Sequence, residues 1–308
     1  MGPVVEKIEA LGNFMVGEGP HWDHQTQALY FVDILGKTIH KYIPSLEKRT
    51  SLKVDQAPSF IIPVTGSSDR FVISLEGDIG ILTWNGIDSA PTSIKIVGTV
   101  DSEPGNENNR INDGKADPLG NLWAGTMAID ADLPVGPVRG TLYSLTPDKQ
   151  FKSHAKNIAI SNGLAWSKDL KKMYYIDSAK RGIDQYDFDA STLSISNCQP
   201  LFTFEKHQIP GYPDGQTIDA DGNLWVAVFQ GNRVIKISTN KPEMLLDTIE
   251  IPDHQVTSVA FGGPNLDVLY VTSAGKPLHC SPGSSIYGHL YKVTGLGVNG
   301  LPGDTVNI

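Results

Sequence analysis

Six polar residues recur at one register of the chain. Glu18, Ser59, Asn112, Asn162, Asp214 and Ser258 each stand 11 or 12 residues ahead of an aromatic residue, in turn Tyr30, Phe71, Trp123, Tyr174, Trp225 and Tyr270. Two carboxylates, two carboxamides and two hydroxyls are all hard oxygen donors. If the fold gathers them into one ring, the two carboxylates cannot both stay ionised cheaply without a cation. A set rich in oxygen and free of sulfur and imidazole favours Ca²⁺, Mg²⁺ or Mn²⁺, with Zn²⁺ able to substitute. The competing reading is a row of polar residues that only solvates a channel. The glycine beside three of them (Glu18-Gly19, Asn162-Gly163, Asp214-Gly215) favours one divalent metal ion.

The elements that must position this ring are strands. The aromatic residues sit in short apolar runs such as Leu29-Tyr30-Phe31-Val32, Leu122-Trp123-Ala124-Gly125 and Leu224-Trp225-Val226-Ala227. They are spaced by about 41, 52, 51, 51 and 45 residues, a period of several short strands per repeat that marks a β-propeller. Alternating runs follow the anchors, as in Thr38–Tyr42, Gly140–Leu145, Arg233–Ile237 and His289–Val293. No stretch carries apolar residues at helical spacing. The expected fold is all-β, a six-bladed β-propeller forming one domain over residues 1–308. In such a fold the innermost strand of each blade lines the axis, so equivalent positions form a ring. Val4 to Leu11 is expected to close it by adding a strand to the last repeat. Trp123, Trp166 and Trp225 are expected to pack between blades.

Composition narrows the function. The 308 residues carry a net charge of -9, and an acidic surface repels phosphate backbones, so nucleic acid is not an expected partner. No apolar run reaches the roughly 18 residues of a membrane span. Neither a basic-then-apolar leader nor an Asn-x-Ser/Thr site is present, and Cys198 and Cys280 read as free thiols in a reducing compartment. We expect an intracellular protein, in the cytoplasm, with the peroxisome as the alternative left open. Its C-terminus, Thr305-Val306-Asn307-Ile308, is not the Ser-Lys-Leu peroxisomal signal.

Two tempting signals fail. Gly295-Leu296-Gly297-Val298-Asn299-Gly300 has dinucleotide-fingerprint spacing but leaves no room for the helix that must follow. Asp219-Ala220-Asp221-Gly222 lacks the downstream glutamate of a calcium loop and reads as a hairpin turn before Trp225. No Gly-x-Ser-x-Gly elbow exists, which argues against a serine hydrolase.

Gly17-Glu18-Gly19-Pro20, Arg110-Ile111-Asn112-Asp113-Gly114-Lys115-Ala116-Asp117-Pro118, Gly125-Thr126-Met127, Ser161-Asn162-Gly163-Leu164-Ala165-Trp166-Ser167 and Pro213-Asp214-Gly215 occur in this order. With them the chain resembles the senescence marker protein-30/gluconolactonase/luciferin-regenerating family over essentially its whole length. The resemblance implies a six-bladed propeller, with Glu18, Asn162 and Asp214 as metal ligands and Arg110 and Asn112 reaching the substrate. In sugar-lactone members a glutamate shortly after Gly-Thr-Met orients the substrate. Here the stretch is Ala128-Ile129-Asp130, so Asp130 takes that place with a shorter reach, which weakens the case for a sugar lactone.

In the luciferin-regenerating branch the resemblance implies hydrolysis of oxyluciferin to 2-cyano-6-hydroxybenzothiazole and thioglycolate. The nitrile then condenses with D-cysteine to give luciferin. Asp214 is the candidate for both ligand and general base, Glu18 for metal ligand, and Arg110 for partner of a carboxylate or oxyanion. Two alternatives stay open: a gluconolactonase-like hydrolase of sugar lactones, and a propeller that binds oxyluciferin without turning it over. Gly105–Asn109 and Ala131–Val138 are candidate loops over the channel mouth.

Overall fold

The computed structural model describes residues 2–131, 136–275 and 287–308, and in them four-stranded antiparallel blades repeat six times. The second strand of every blade carries one of the aromatic anchors, for example Ala28–Asp33 with Tyr30 and Leu224–Phe229 with Trp225. These strands are buried on both faces because each blade is sandwiched between two neighbours, so they are mostly apolar rather than alternating. The outermost strands, such as Leu245–Glu250, lie open to solvent. Among the described residues the only helices are three 3-10 turns of three residues each, in line with the absence of helical periodicity.

Val4–Lys7 pairs antiparallel with Leu290–Thr294, so the N-terminal strand completes the sixth blade and closes the ring as expected. Trp123 packs against Trp166 and Phe188 of the next blade, and Trp225 meets Phe261 edge-on between the fifth and sixth blades. The turn before each of these two tryptophans is held by one aspartate. Asp219 Oδ1 accepts the backbone N–H groups of Asp221 and Asn223 while its Oδ2 accepts the Trp225 indole N–H, and Asp117 does the same for Leu119, Asn121 and Trp123. Asp219 is thus a turn residue and not a calcium ligand. Cys198 is a free, exposed thiol, and Cys280 lies outside the described residues.

Asp101 carries a comparable load on the other face of the ring. It accepts hydrogen bonds from Asn109 Nδ2 at 2.6 Å, Thr126 Oγ1 at 2.5 Å and Tyr143 OH at 2.6 Å, all within the third blade. Asp101→Ala removes the shared acceptor of two buried donors and of the half-buried Tyr143 hydroxyl, and the loss is expected to be about 2–3 kcal/mol of unfolding free energy in urea titration. A loss below about 1 kcal/mol would show that solvent replaces the carboxylate.

Candidate functional site

The inner strands Gly17–Asp23, Ile61–Pro63, Asn109–Ala116, Ser161–Trp166, Tyr212–Ile218 and Gln255–Gly262 line the axis. Five of the six are interrupted by a β-bulge where the polar register falls. The pairing slips between Glu18 and His21, Ile111 and Asp113, Asn162 and Leu164, Pro213 and Gln216, and Val256 and Ser258. A bulge bends the strand and re-aims a side chain out of the ladder. Repeated around a ring, it turns side chains from successive blades toward one point.

The strands also approach too closely for side chains just past the ligand positions. Gly19 has a φ of +54°, and a Cβ there would lie 2.7 Å from the Ser59 carbonyl oxygen. A Cβ on Gly215 would lie 2.0 Å from Ser258 Oγ. The glycines beside Glu18 and Asp214 are therefore conditions of the close packing at the axis.

At that point lies a cavity of about 110 Å³. Glu18, Arg110, Asn112, Asn162 and Asp214 all contribute to its wall, so five of the residues singled out from the sequence meet in one place. Glu18, Asn162 and Asp214 are 7%, 4% and 8% exposed, which leaves them little bulk water to solvate charge. The rest of the wall is largely apolar, from Val16, Ile34, Met127, Ile160 and Phe229.

Three expected residues sit elsewhere. Ser59 Oγ donates to the carbonyl of Ile111 at 2.6 Å, so its hydroxyl is consumed in tying the second blade to the third. Ser258 lies in the wall of a separate cavity farther along the axis, and Thr257 takes the position at the site. The bulge between Val256 and Ser258 is the cause, because one extra residue exchanges the inward and outward faces. Asp130 is largely exposed and pairs with Arg139 at 2.9 Å, outside the cavity wall, whereas its neighbour Ala131 is part of it. Of the two candidate mouth loops, residues 132–135 lie outside the described residues.

Two contributors were not assigned to the site from the sequence. Ser178 Oγ accepts from Asn162 Nδ2 at 2.8 Å and donates to the Pro213 carbonyl at 2.7 Å, joining the strand of one ligand candidate to that of another. Asp113, in the turn-like Asn-Asp-Gly corner, accepts the Gly114 N–H at 2.7 Å as a turn residue would, yet it is part-buried and its charge acts on both members of the acidic pair. A serine just after a second strand and an acid inside an Asn-Asp-Gly corner carry no signal of their own.

The electrostatics follow from crowding acids out of water. Burial, then the charge of Asp113, pushes the Glu18 carboxyl up to about 8, against the backbone N–H of Gly19 and the charge of Arg110. Burial and then Glu18 and Asp113 hold Asp214 well above the usual carboxylate range. Burial raises Asp113 itself to about 6. Arg110 is brought down to about 10 by burial, with Glu18 and Asp214 working the other way. One guanidinium faces more acid than it can neutralise, and a divalent cation would relieve the excess.

The donor set fits such a cation. Asn162 spends its Nδ2 on Ser178 and Asn112 spends its Nδ2 on the Ser161 carbonyl at 2.8 Å, so each leaves Oδ1 as the free acceptor beside the two carboxylates. Among the described residues no three His, Cys, Asp or Glu side chains are placed to hold one ion together, so carboxamides must complete the set. All-oxygen ligation by carboxylate and carboxamide suits Ca²⁺, Mg²⁺ or Mn²⁺ better than Zn²⁺.

Comparison with known proteins gives a consistent picture. Residues 16–275 match the model of the SMP-30/Gluconolactonase/LRE-like region. Regucalcin from Xenopus laevis is 36% identical over 300 residues, covering 96% of each chain. A solved structure of luciferin-regenerating enzyme is 67% identical and superposes with a TM-score of 0.96 over 100% of both chains. The calcium-binding protein regucalcin from Agrobacterium tumefaciens shares the fold, with a TM-score of 0.84 at 22% identity, over 100% of this chain and 98% of that one.

Proposed function

The chain belongs to the SMP-30/Gluconolactonase/LRE-like family, and we propose that within it this protein is a divalent-metal-dependent hydrolase that cleaves oxyluciferin for luciferin recycling. The observation that carries this reading is the convergence of Glu18, Asn162 and Asp214 with Arg110 and Asn112 in a cavity otherwise walled by apolar side chains. Likeness to luciferin-regenerating enzyme along the whole chain supports the choice of substrate. Asp130 lies outside the wall, which removes a polar contact that a sugar lactone would use.

Glu18, Asn162 and Asp214 would hold the cation, with Asn112 beside them. When bound, a divalent ion there supplies Lewis acidity toward a ring carbonyl and lowers the pKa of water. Val16, Ile34, Ile160 and Phe229 offer flat apolar contact to a benzothiazole and keep bulk water off the reacting ring. Asp214 takes a proton from the attacking water. Arg110 pairs with the oxyanion that forms and then with the new carboxylate.

The bonds balance with one water. Its oxygen adds to the thiazolone carbonyl carbon and the carbonyl C–N bond breaks. The resulting thioimidate expels sulfur, giving thioglycolate and 2-cyano-6-hydroxybenzothiazole. The nitrile then condenses with D-cysteine, a co-reactant of the product.

The deciding experiment compares oxyluciferin and gluconolactone as substrates of chelated protein, with Ca²⁺, Mg²⁺, Mn²⁺ or Zn²⁺ added back. Metal-restored turnover of oxyluciferin at substoichiometric protein is expected. Turnover of the lactone alone would move the protein to lactone hydrolysis, and metal binding without turnover of either would make it a binding propeller.

Ser178 provides a second check. Without its hydroxyl the Asn162 carboxamide is free to turn, and a lost orienting partner typically costs 10–100-fold in metal affinity. Ser178→Ala is expected to weaken Ca²⁺ binding by about that factor in calorimetry, with oxyluciferin turnover recovered at high metal. Unchanged affinity would remove Asn162 from the ligand set.

A further inference from the structure

Two more cavities follow along the axis beyond the candidate site, and both have Pro20, His21 and Lys115 in their walls. The nearer one, of about 30 Å³, also meets Asp113, Gln216 and Ser258. The farther one, of about 80 Å³, also meets Trp22, Trp166 and Asp304. The C-terminal segment crosses the far end. It is tied to the fifth blade by the Ala220 N–H to Asn299 carbonyl bond at 2.8 Å, and to the second and third by the Thr65 to Val306 bond at 2.9 Å and the Asn307 to Gly120 bond at 2.8 Å. Leu301, Pro302, Gly303 and Asp304 form that side of the farther cavity.

Among the described residues several buried polar atoms here have no protein partner. They are Gln216 Oε1, His21 Nε2, Trp22 Nε1 and Trp166 Nε1, on side chains that are 2%, 9%, 2% and 4% exposed. Lys115 Nζ donates to the Gln216 carbonyl at 2.8 Å and, as an ammonium, has two further N–H bonds to place. Asp113 shares the nearer cavity with it and Asp304 the farther one. Polar atoms buried at this level are satisfied by protein or by ordered water. Both cavities exceed the roughly 10–15 Å³ that one water needs, and each offers the two to four polar partners that hold it.

We propose that the lower channel is an internal hydration site, in which ordered water bridges Lys115 to Asp113 on one side and to Asp304 on the other. Charge selects the ligand. The Lys115 ammonium already stands between two carboxylates, so an added cation meets it and an added anion meets them. Water, which donates and accepts, satisfies the indole and imidazole nitrogens and Gln216 Oε1 together. The C-terminal segment lies across this end of the channel, which leaves substrate the opposite mouth. None of this depends on which substrate the upper cavity takes.

The test is a crystal structure of the full chain grown with bromide, joined to ¹⁷O water relaxation dispersion in solution. At least one ordered water is expected in each cavity, within hydrogen-bond reach of Lys115 Nζ, together with long-lived water in the dispersion. Lys115→Met is expected to lose at least one long-lived water, and Asp304→Ala, at the edge of the fold, tests the same bridge if the lysine variant does not fold. A bromide peak in either cavity, or density ringed by six or more oxygens at about 2.3–2.6 Å as for Ca²⁺, would overturn the assignment. So would dry cavities, or a long-lived water count that neither variant lowers.

Discussion

Replacing Asp214 by Asn is expected to lower kcat/KM for oxyluciferin by about 10²–10⁴-fold while leaving the metal-free protein at least as stable as the parent. The two halves have one cause. Asp214 is buried among Glu18 and Asp113, whose charges oppose its own ionisation. In the reaction that carboxylate receives a proton and helps to hold the cation. In the metal-free fold burial and like-charge repulsion oppose its ionisation, so it keeps a proton that the unfolded chain releases, at a cost to stability. A neutral carboxamide of nearly the same shape removes the repulsion and the chemistry together, the trade of stability against activity found at many active sites. Initial rates with saturating metal, and thermal unfolding in chelator, measure the two halves. Full turnover at unchanged metal occupancy would strip Asp214 of the role of base. A fall of several degrees in unfolding temperature would show that its carboxylate is held by contacts stronger than the repulsion.

Chelated protein is expected to lose stability as pH rises from 6.5 to 8, and a bound divalent cation to flatten or reverse that slope. Glu18 in the fold ionises near 8 rather than 4.5, so between those values the folded chain holds a proton that the unfolded chain has released. Its contribution is complete below 4.5 and is lost as pH climbs through 8. Asp214 acts in the same direction. Below pH 6.5 the picture is mixed. Burial lowers His21 to about 4, and with it His40 and His154, so these rings gain stability with rising pH while Asp113 and Asp304 lose it. Above 6.5 the unfolded imidazoles, whose ordinary value is 6.5, give up their remaining protons and the acidic pair outweighs them. One retained proton over that interval corresponds to about 2 kcal/mol, or roughly 3 °C in unfolding temperature for a chain of this size. With Ca²⁺ present the ligands are already ionised in the fold, and the proton linkage disappears. A slope that is the same with and without metal would separate the acidic pair from the cation.

Much of this was legible in the order of residues. Tyr30, Phe71, Trp123, Tyr174, Trp225 and Tyr270 mark second strands because a strand sandwiched between blades must be apolar on both faces, and bulky anchors at a near-constant spacing expose the repeat. Counting back from them reaches Glu18, Asn112, Asn162 and Asp214, since a blade of fixed architecture holds a fixed offset between its second strand and the axis. The closing strand at Val4–Lys7 follows from the same architecture.

Local periodicity thus specifies the number of blades, the strands that make them and the four oxygen-bearing side chains at the axis. Which neighbours share the cavity is set by contacts between blades. Thr257 replaces Ser258 because a bulge shifts the strand by one residue, and period-two alternation does not reveal where an extra residue is inserted. Ser59 is lost to the Ile111 carbonyl 52 residues away, and Ser178 is gained through Pro213, 35 residues away. Asp113, in the same Asn-Asp-Gly corner that reads as a turn, becomes a neighbour of Glu18 and Asp214 only when three blades meet. Hydrogen bonds and charges between blades depend on how the ring closes, and closure is a property of the whole chain.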